Sequence, residues 1–202
     1  MRMARIALTA LLILLCAATA ALAADFGMAV LRGGNTRDFW VYNIRQASWE
    51  YMPSTPHSVG PGGSITFFHT DGCVYALRGG GTRDFWRFTP AFAQPGGTWT
   101  ELQPTPGPVL DGGSLTAVNF GGPSAQQGLY ALQGGGSRAA WQWRDGTWTM
   151  IYPRGKRAHF DLEGRLSTLE DPSGNRIGHA FETSGADDDT QRPPTRVPFS
   201  VR

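Results

Sequence analysis

Cysteine and lysine are nearly absent from this chain. Its 202 residues include two cysteines, Cys16 and Cys73, and 18 basic residues of which only Lys156 is a lysine. Because Cys16 falls in an N-terminal leader, the rest of the chain has one thiol and no internal disulfide. We expect Cys73, within a strand-like run, to be a small buried apolar residue. The near balance of basic residues with 16 acidic ones argues against a nucleic-acid partner.

Motifs for catalysis and for cofactor binding are missing as well. The four histidines have no metal-ligand spacing, and the chain has neither a phosphate-binding loop nor a serine nucleophile elbow. We therefore predict no catalytic residue, no metal and no cofactor. A secreted carbohydrate-active enzyme stays open as an alternative, because a carboxylate pair for glycoside hydrolysis can come from any two loops.

The N-terminal segment has the composition of a secretory signal peptide. A basic start at residues 1–5 precedes an apolar run at 6–15, and Ala21-Leu22-Ala23 forms a small-x-small cleavage site. The apolar run is too short for a stable membrane span. The sequence predicts cleavage after Ala23 and a secreted or periplasmic protein, and it leaves these two locations open.

A decapeptide rich in glycine and aromatic residues occurs three times. Its copies are LRGGNTRDFW at 31–40, LRGGGTRDFW at 77–86 and LQGGGSRAAW at 132–141. A period of roughly 50 residues with recurrent Gly and Trp is typical of propeller blades.

Short β-rich runs surround each copy, separated by turn residues such as Asp-Gly. The second copy predicts strands at 65–68, 73–77, 85–88 and 98–102, and the third predicts strands at 115–118, 129–132, 141–143 and 147–150. The first copy predicts only 28–31, 39–42 and 48–51, and so lacks a first strand. The predicted fold class is all-β, a partial β-propeller of about three four-stranded antiparallel blades.

These features resemble the kelch-repeat family and the related galactose-oxidase-type propellers. The resemblance covers residues 28 to about 153 and rests on the Leu-x-Gly-Gly end of the second strand, the aromatic third strand and the tryptophan of the fourth. The third strand carries Trp where a kelch repeat commonly has Tyr. The family implies a binding scaffold more often than an enzyme.

A different pattern follows the third copy. Residues at about 159–181 resemble one Rhs/YD repeat, through Phe160-Asp161, Gly164-Arg165-Leu166 and the Asp-Pro-x-Gly that starts at Asp171. That resemblance implies a β-hairpin segment, and the residues themselves predict strands at about 157–161, 165–169 and 176–181. The predicted divisions are a signal peptide at 1–23, blades at 24–56, 57–106 and 107–153 (together 24–153), the hairpin tail at 154–183, and disorder at 184–202.

The repeated glycines and tryptophans are expected to serve the repeat itself. Glycine permits a positive φ or close packing where the second strand ends, and large aromatic side chains at matched positions fill the space between neighbouring blades. The structural residues predicted in this way are Gly33, Gly34, Trp40, Trp49, Gly79, Gly80, Trp86, Trp99, Gly134, Gly135, Trp141 and Trp148.

The candidate binding residues are a repeated Arg-Asp pair in the loop after the second strand of each blade. Arginine offers a planar set of donors that suits carboxylates, or sugar hydroxyl groups together with Asp. The third copy has alanine in place of the aspartate. The pair is alternatively a structural ion pair or turn bond of the repeat. The residues are Arg37, Asp38, Arg83, Asp84 and Arg138.

The sequence thus predicts a secreted, non-enzymatic, kelch-like β-propeller module that binds protein or carbohydrate through one loop face. Closed propellers have about four to eight blades, and three copies leave three alternatives. The chain is a remnant of a larger cell-surface or Rhs-type protein, or several chains complete one ring as a homo-oligomer, or the tail covers the open edge.

Overall fold

The computed structural model describes residues 27–91, 96–118 and 127–178. These residues fold into antiparallel β-sheets of three, four and seven strands, with no α-helix among them. The all-β fold class predicted from the sequence is confirmed. None of the helical turns in these ranges is long and apolar enough to cross a membrane. The predicted signal peptide and the stretch at 184–202 lie outside the described residues.

Each sheet is built from strands that follow one another in the chain. The first sheet contains β1 (Met28–Leu31), β2 (Phe39–Asn43) and β3 (Ser48–Met52). The second contains β4 (Ser64–Phe68), β5 (Cys73–Leu77), β6 (Phe85–Pro90) and β7 (Gly97–Glu101). The third contains β8 (Ser114–Val118), β9 (Gly128–Leu132), β10 (Ala140–Arg144), β11 (Thr147–Ile151), β12 (Arg157–Phe160), β13 (Leu166–Glu170) and β14 (Arg176–Gly178).

The strands of the three repeats form where short aromatic and β-branched runs alternate with turn residues. Their bounds lie within two residues of the predicted ones. Strand β1 of the first sheet corresponds to β5 of the second, so within residues 27–91 the first sheet has no counterpart of β4. The turns Asp71-Gly72 and Asp145-Gly146 join β4 to β5 and β10 to β11, with positive φ at both glycines.

The tail forms three strands that extend the third sheet. Strand β12 pairs with β11, placing Ala158 opposite Met150, and β13 and β14 continue in order. A single 3-10 turn at Pro153–Gly155 makes the connection. The tail therefore adds strands edge-on to the third sheet, beyond the last strand of the repeat.

The core lies between successive sheets. One face of the first sheet, with Phe39, Val41 and Met52, packs against Val74 and Phe88 of the second. The opposite face of the second sheet packs against the third sheet in the same way, and its contact contains Tyr75, Leu77, Phe85, Leu129, Ala131, Trp141, Trp143 and Trp148. Burying this aromatic and aliphatic area from water holds the three sheets in chain order.

Two of the repeated glycines allow the chain to come close to itself. Gly79 and Gly134 have φ of +69° and +77°, and a Cβ at either would overlap the backbone of the segment that enters the same sheet, at Pro61–Gly63 and at 111–113 respectively. The matching Gly33 has φ of +67° but no atom within 4 Å of an added Cβ. In the part of the chain that the structure describes, no entering segment packs against the first sheet as it does against the other two.

Cys73 lies in the buried contact between the second and third sheets, as the sequence predicts for a small apolar residue. Burial raises the pKa of its thiol, and this outweighs the lowering effect of the Thr89 hydroxyl beside it. The thiol is therefore protonated and unreactive at neutral pH.

Candidate functional site

The loops that follow β1, β5 and β9 form one connected surface with the two segments that join the sheets. We call this surface the loop belt; it comprises loops 32–38, 78–84 and 133–139 and linkers 53–63 and 103–113. The first linker accepts a hydrogen bond from Asn35 and donates one to the Arg78 carbonyl, both at 3.0 Å. The second linker repeats these bonds with Gly81 (2.9 Å) and Gln133 (2.8 Å). The belt thus brings all the predicted binding residues to the same edge of the three sheets.

Arg37 and Arg83 hold the linkers to the loops. The Nε of Arg37 donates to the Thr55 carbonyl at 2.7 Å, and the Nε of Arg83 donates to the Thr105 carbonyl at 2.5 Å. The backbone N–H of each threonine returns a bond to the arginine carbonyl, at 3.0 Å and 2.9 Å. Both threonines are fully buried, whereas both arginines are exposed. Each arginine therefore anchors the belt through Nε while its charged end faces solvent.

The aspartates of the repeat pair with a different arginine from the one beside them. Asp38 lies 2.9 Å from Nη1 of Arg32, and Asp84 lies 2.8 Å from Nη1 of Arg78. Each ion pair joins the two ends of its loop, where the backbone N–H of the same arginine also donates to the backbone carbonyl of the aspartate. The arginine and the aspartate that are adjacent in the sequence thus make separate contacts. The arginine bonds a linker carbonyl, and the aspartate pairs with the arginine six positions before it.

The third loop lacks both members of this ion pair. Gln133 stands at the position of Arg32 and Arg78, and Ala139 stands at the position of the aspartates. The backbone bond between them is kept, from Gln133 N–H to the Ala139 carbonyl at 3.2 Å. Arg138 remains and is exposed, but Arg154 occupies the position that Thr55 and Thr105 hold in the linkers. The third loop of the belt therefore has the exposed Arg138 but not the Arg–Asp ion pair of the other two loops.

All six repeated glycines have a positive φ, between +61° and +77°. The tryptophans are less uniform. Trp86, Trp141 and Trp148 are fully buried, Trp40 and Trp99 are half-buried, and Trp49 is exposed. Neighbouring repeats cover the tryptophans of the second and third sheets, whereas no repeat precedes the tryptophans of the first sheet among the described residues.

A cleft at the edge opposite the loop belt was not predicted from the sequence. It has a volume of about 320 Å³ and is lined by Asp71, Tyr75, Trp143 and Asp145, among others. The Tyr75 hydroxyl donates to Asp71 Oδ2 at 2.6 Å, and Oδ1 accepts from the Cys73 N–H at 3.0 Å. Burial and the Asp71 carboxylate raise the pKa of Tyr75. The two Asp-Gly pairs had been interpreted only as turns, because nothing in the sequence indicates that turns of different sheets converge.

Metal binding has no support in the described ranges. No three His, Cys, Asp or Glu side chains there come close enough to hold an ion.

Neither a protein-family model nor a curated protein sequence matches the chain.

Proposed function

We propose that the chain is a secreted, non-enzymatic binding module of kelch-like β-propeller blades, and that its loop belt recognises a protein or carbohydrate partner. The observation that carries this proposal is the matched anchoring of Arg37 and Arg83. In both, Nε bonds a linker carbonyl and the side chain stays exposed. Two arginines in equivalent orientations on one connected surface form a regular array of donors.

The chemistry of this array favours a ligand with carboxylate or hydroxyl groups. With Nε engaged, the terminal nitrogens of each guanidinium group keep their N–H donors for a ligand, in the planar geometry that suits a carboxylate. The nearby aspartates are already paired with Arg32 and Arg78. These pairs fix the loops before a ligand arrives, so less ordering entropy is lost on binding.

The packing of the sheets supports the propeller interpretation. The same two faces meet at both junctions, with the Phe39 and Phe85 side chains at equivalent places against the tryptophan-bearing face of the next sheet. Repetition of one interface along the chain is the building rule of propellers and other repeat proteins.

The alternative of a carbohydrate-active enzyme points to the cleft at the opposite edge, where Asp71 and Asp145 line the same volume. Both oxygens of Asp71 already accept hydrogen bonds from Tyr75 and Cys73. Asp145 has an exposed side chain next to Arg144. The contacts of Asp71 are those of a structural carboxylate, and this favours a binding module over a carbohydrate-active enzyme.

The test compares two double variants of the full chain. Removing two charge-assisted contacts in R37A/R83A should weaken binding by about tenfold or more. The control R45A/R144A removes the same charge at the opposite edge and should bind like the unaltered protein. The probes are fluorescein-labelled polygalacturonate, as a carboxylated polysaccharide, and a labelled poly-glutamate peptide, as an acidic protein segment, each followed by fluorescence anisotropy.

Circular dichroism and thermal unfolding of each variant establish that the sheets are intact. If R37A/R83A stays folded and binds both probes as tightly as the control, the loop belt is not the binding surface. Release of reducing sugar from polygalacturonate that D145N abolishes would instead support the enzyme. Preference for one probe identifies the class of partner.

A further inference from the structure

The first sheet exposes a face that is built like a buried one. Cross-strand pairing places Met28, Val30, Trp40, Tyr42, Trp49 and Tyr51 on the same side. Met28, Trp49 and Tyr51 are 48%, 52% and 46% exposed. We call this side the leading face. It contains an open groove of about 570 Å³ lined by Val30, Leu31, Arg32, Trp40 and Trp49.

The corresponding faces of the other two sheets are covered by the sheet before them. In the second sheet, Nε1 of Trp99 donates to the Pro53 carbonyl at 2.9 Å, and in the third, Nε1 of Trp148 donates to the Gln103 carbonyl at 3.1 Å. Both acceptors lie in the linker that leaves the preceding sheet. Trp49 occupies the same position in the first sheet, and within the described ranges it makes no such bond. Among the residues that the structure describes, the leading face therefore has neither an apolar cover nor an acceptor for this indole.

Gly33 gives the same indication at the end of β1. The equivalent Gly79 and Gly134 are packed against the linker from the preceding sheet, whereas the space beside Gly33 is open. A glycine that leaves room for a linker is thus retained where the described residues provide no linker. Two independent features, an indole donor and a glycine, indicate that another sheet of this repeat belongs here.

The third sheet exposes the face that, in the first and second sheets, is covered by the sheet that follows. Tyr130, Leu132 and Ile151 lie on its far side, at the positions that Tyr75, Leu77 and Leu102 occupy in the second sheet. Leu77 is fully buried against the next sheet, but Leu132 is 52% exposed. We call this side the trailing face. Strands β12 to β14 do not cover this face, because they extend the sheet edgewise.

The trailing face also keeps the polar contacts that serve a following sheet. At the junction of the second and third sheets, Ser64 and Thr66 accept hydrogen bonds from the backbone of Leu115 and Ala117, at 3.0 Å and 3.2 Å. Ser114 and Thr116 repeat this pair of hydroxyls on β8, and both are exposed. This hydroxyl contact is made only at that junction, because the first sheet has no counterpart of β8 among the described residues, whereas the apolar contact between a trailing and a leading face is made at both junctions.

We propose that a second copy of this chain docks head to tail, with the leading face of each copy on the trailing face of the other. Two such contacts related by a twofold axis close a ring of six sheets, which is within the roughly four to eight of closed propellers. Docking of two leading faces would bring two indole donors together without a linker carbonyl between them. Trp49 and Leu132, one on each face, lie outside the loop belt, so the contact can be tested separately from the proposed ligand.

Light scattering on the full chain after size-exclusion chromatography tests the proposal. The expected result is a discrete species with twice the chain mass at micromolar concentration. W49R and L132R each place a charge on one of the two faces and should each produce the single-chain mass, with the dissociation constant raised by about 30-fold or more. I44R changes an apolar residue that is more exposed than Trp49 or Leu132, in the turn between β2 and β3, and this variant should remain a dimer.

Each result decides the question. A single-chain mass for the unaltered protein, or an open series of larger species, overturns the closed pair. If W49R dissociates the dimer and L132R does not, two leading faces are in contact and the head-to-tail arrangement is wrong. Because a charged variant can misfold, the milder W49Q and L132S are measured in parallel by circular dichroism. Small-angle scattering of the unaltered protein adds a check that needs no variant, since a ring of six sheets is compact.

Discussion

Arg78 and Asp84 close the loop between β5 and β6 through an ion pair of 2.8 Å, and Arg32 and Asp38 close the preceding loop at 2.9 Å. In the third loop both partners are replaced together, by Gln133 and Ala139. The simultaneous replacement indicates that each residue of the pair is kept for the other. The adjacency of Arg and Asp in the sequence hides this relationship, because the true partner of each aspartate is six positions before it.

The first prediction is a coupling between Arg78 and Asp84. In a double-mutant cycle with R78A, D84A and R78A/D84A, we expect a coupling free energy of about 0.5 to 1 kcal/mol, as is usual for a partly exposed ion pair. Urea unfolding measures it. The same cycle at Gln133 and Ala139, with Q133A and A139S, should give no coupling. Equal coupling energies in the two loops would contradict the assignment.

The second prediction separates two contributions of a buried tryptophan to the free energy of unfolding, that of its hydrogen bond and that of its volume. Trp148 and Trp141 are both fully buried, but Trp148 Nε1 donates to the Gln103 carbonyl while Trp141 Nε1 has no partner in the described structure. We expect W148F to lower the free energy of unfolding by about 1 kcal/mol more than W141F, since only the former leaves a carbonyl without its donor. Denaturant unfolding of the two variants is compared side by side, and equal losses would rule out a contribution from the bond.

The third prediction concerns the glycine that ends the second strand of each repeat. Gly33 and Gly79 have nearly the same positive φ, but only Gly79 is packed against a linker backbone. G33A should cost about 1 to 2 kcal/mol, the usual penalty of a left-handed residue with a side chain. G79A adds a backbone overlap and should be clearly more destabilising. Thermal unfolding measures both, and a G33A protein as unstable as G79A would mean that the linker contact has no effect.

The fourth prediction is a dependence of stability on pH in the tail. Burial on its own would raise the pKa of Glu170, but hydrogen bonds from His159 and Arg176 outweigh it and hold the pKa below its ordinary value. A carboxyl with a lower pKa in the folded state stabilises the fold above its unfolded pKa, and this contribution is lost as the pH falls through the folded pKa. E170Q should therefore reduce the loss of stability between neutral pH and about pH 3.

A matched control for that experiment is E163Q. Glu163 also accepts a bond from an arginine, Arg165, but its side chain is largely exposed. Urea unfolding of both variants at several pH values gives the comparison. If E163Q changes the pH profile as much as E170Q does, the His159 and Arg176 contacts are not the source of the effect.

The strands were predictable because local chemistry determines them. The alternating run from Cys73 to Leu77, bounded by Asp71-Gly72 and by the glycines that follow, leaves little choice of structure or of bounds. The extension of the third sheet by the tail was harder to predict from the sequence, because the pairing of β12 with β11 depends on the turn at Pro153–Gly155 rather than on the strand residues.

The candidate site was predictable only in part. The sequence placed Arg37 and Arg83 on one loop face, but their bonds to the Thr55 and Thr105 carbonyls depend on the return path of the chain. The exposure of Trp49 shows a second limit. A repeated residue is buried only where another repeat is its neighbour, so identical sequence gives different environments at the ends of an array.

In all three sheets the spatial order of the strands is their order along the chain. Each strand pair therefore closes only a short loop, and little entropy is lost before the pairing bonds form. A sheet of this kind can fold from a contiguous piece of polypeptide without threading past the others. A whole repeat can consequently be duplicated or deleted during evolution while the strand register of its neighbours stays unchanged, which is a direct route to the irregular third copy and the sheet extension seen here.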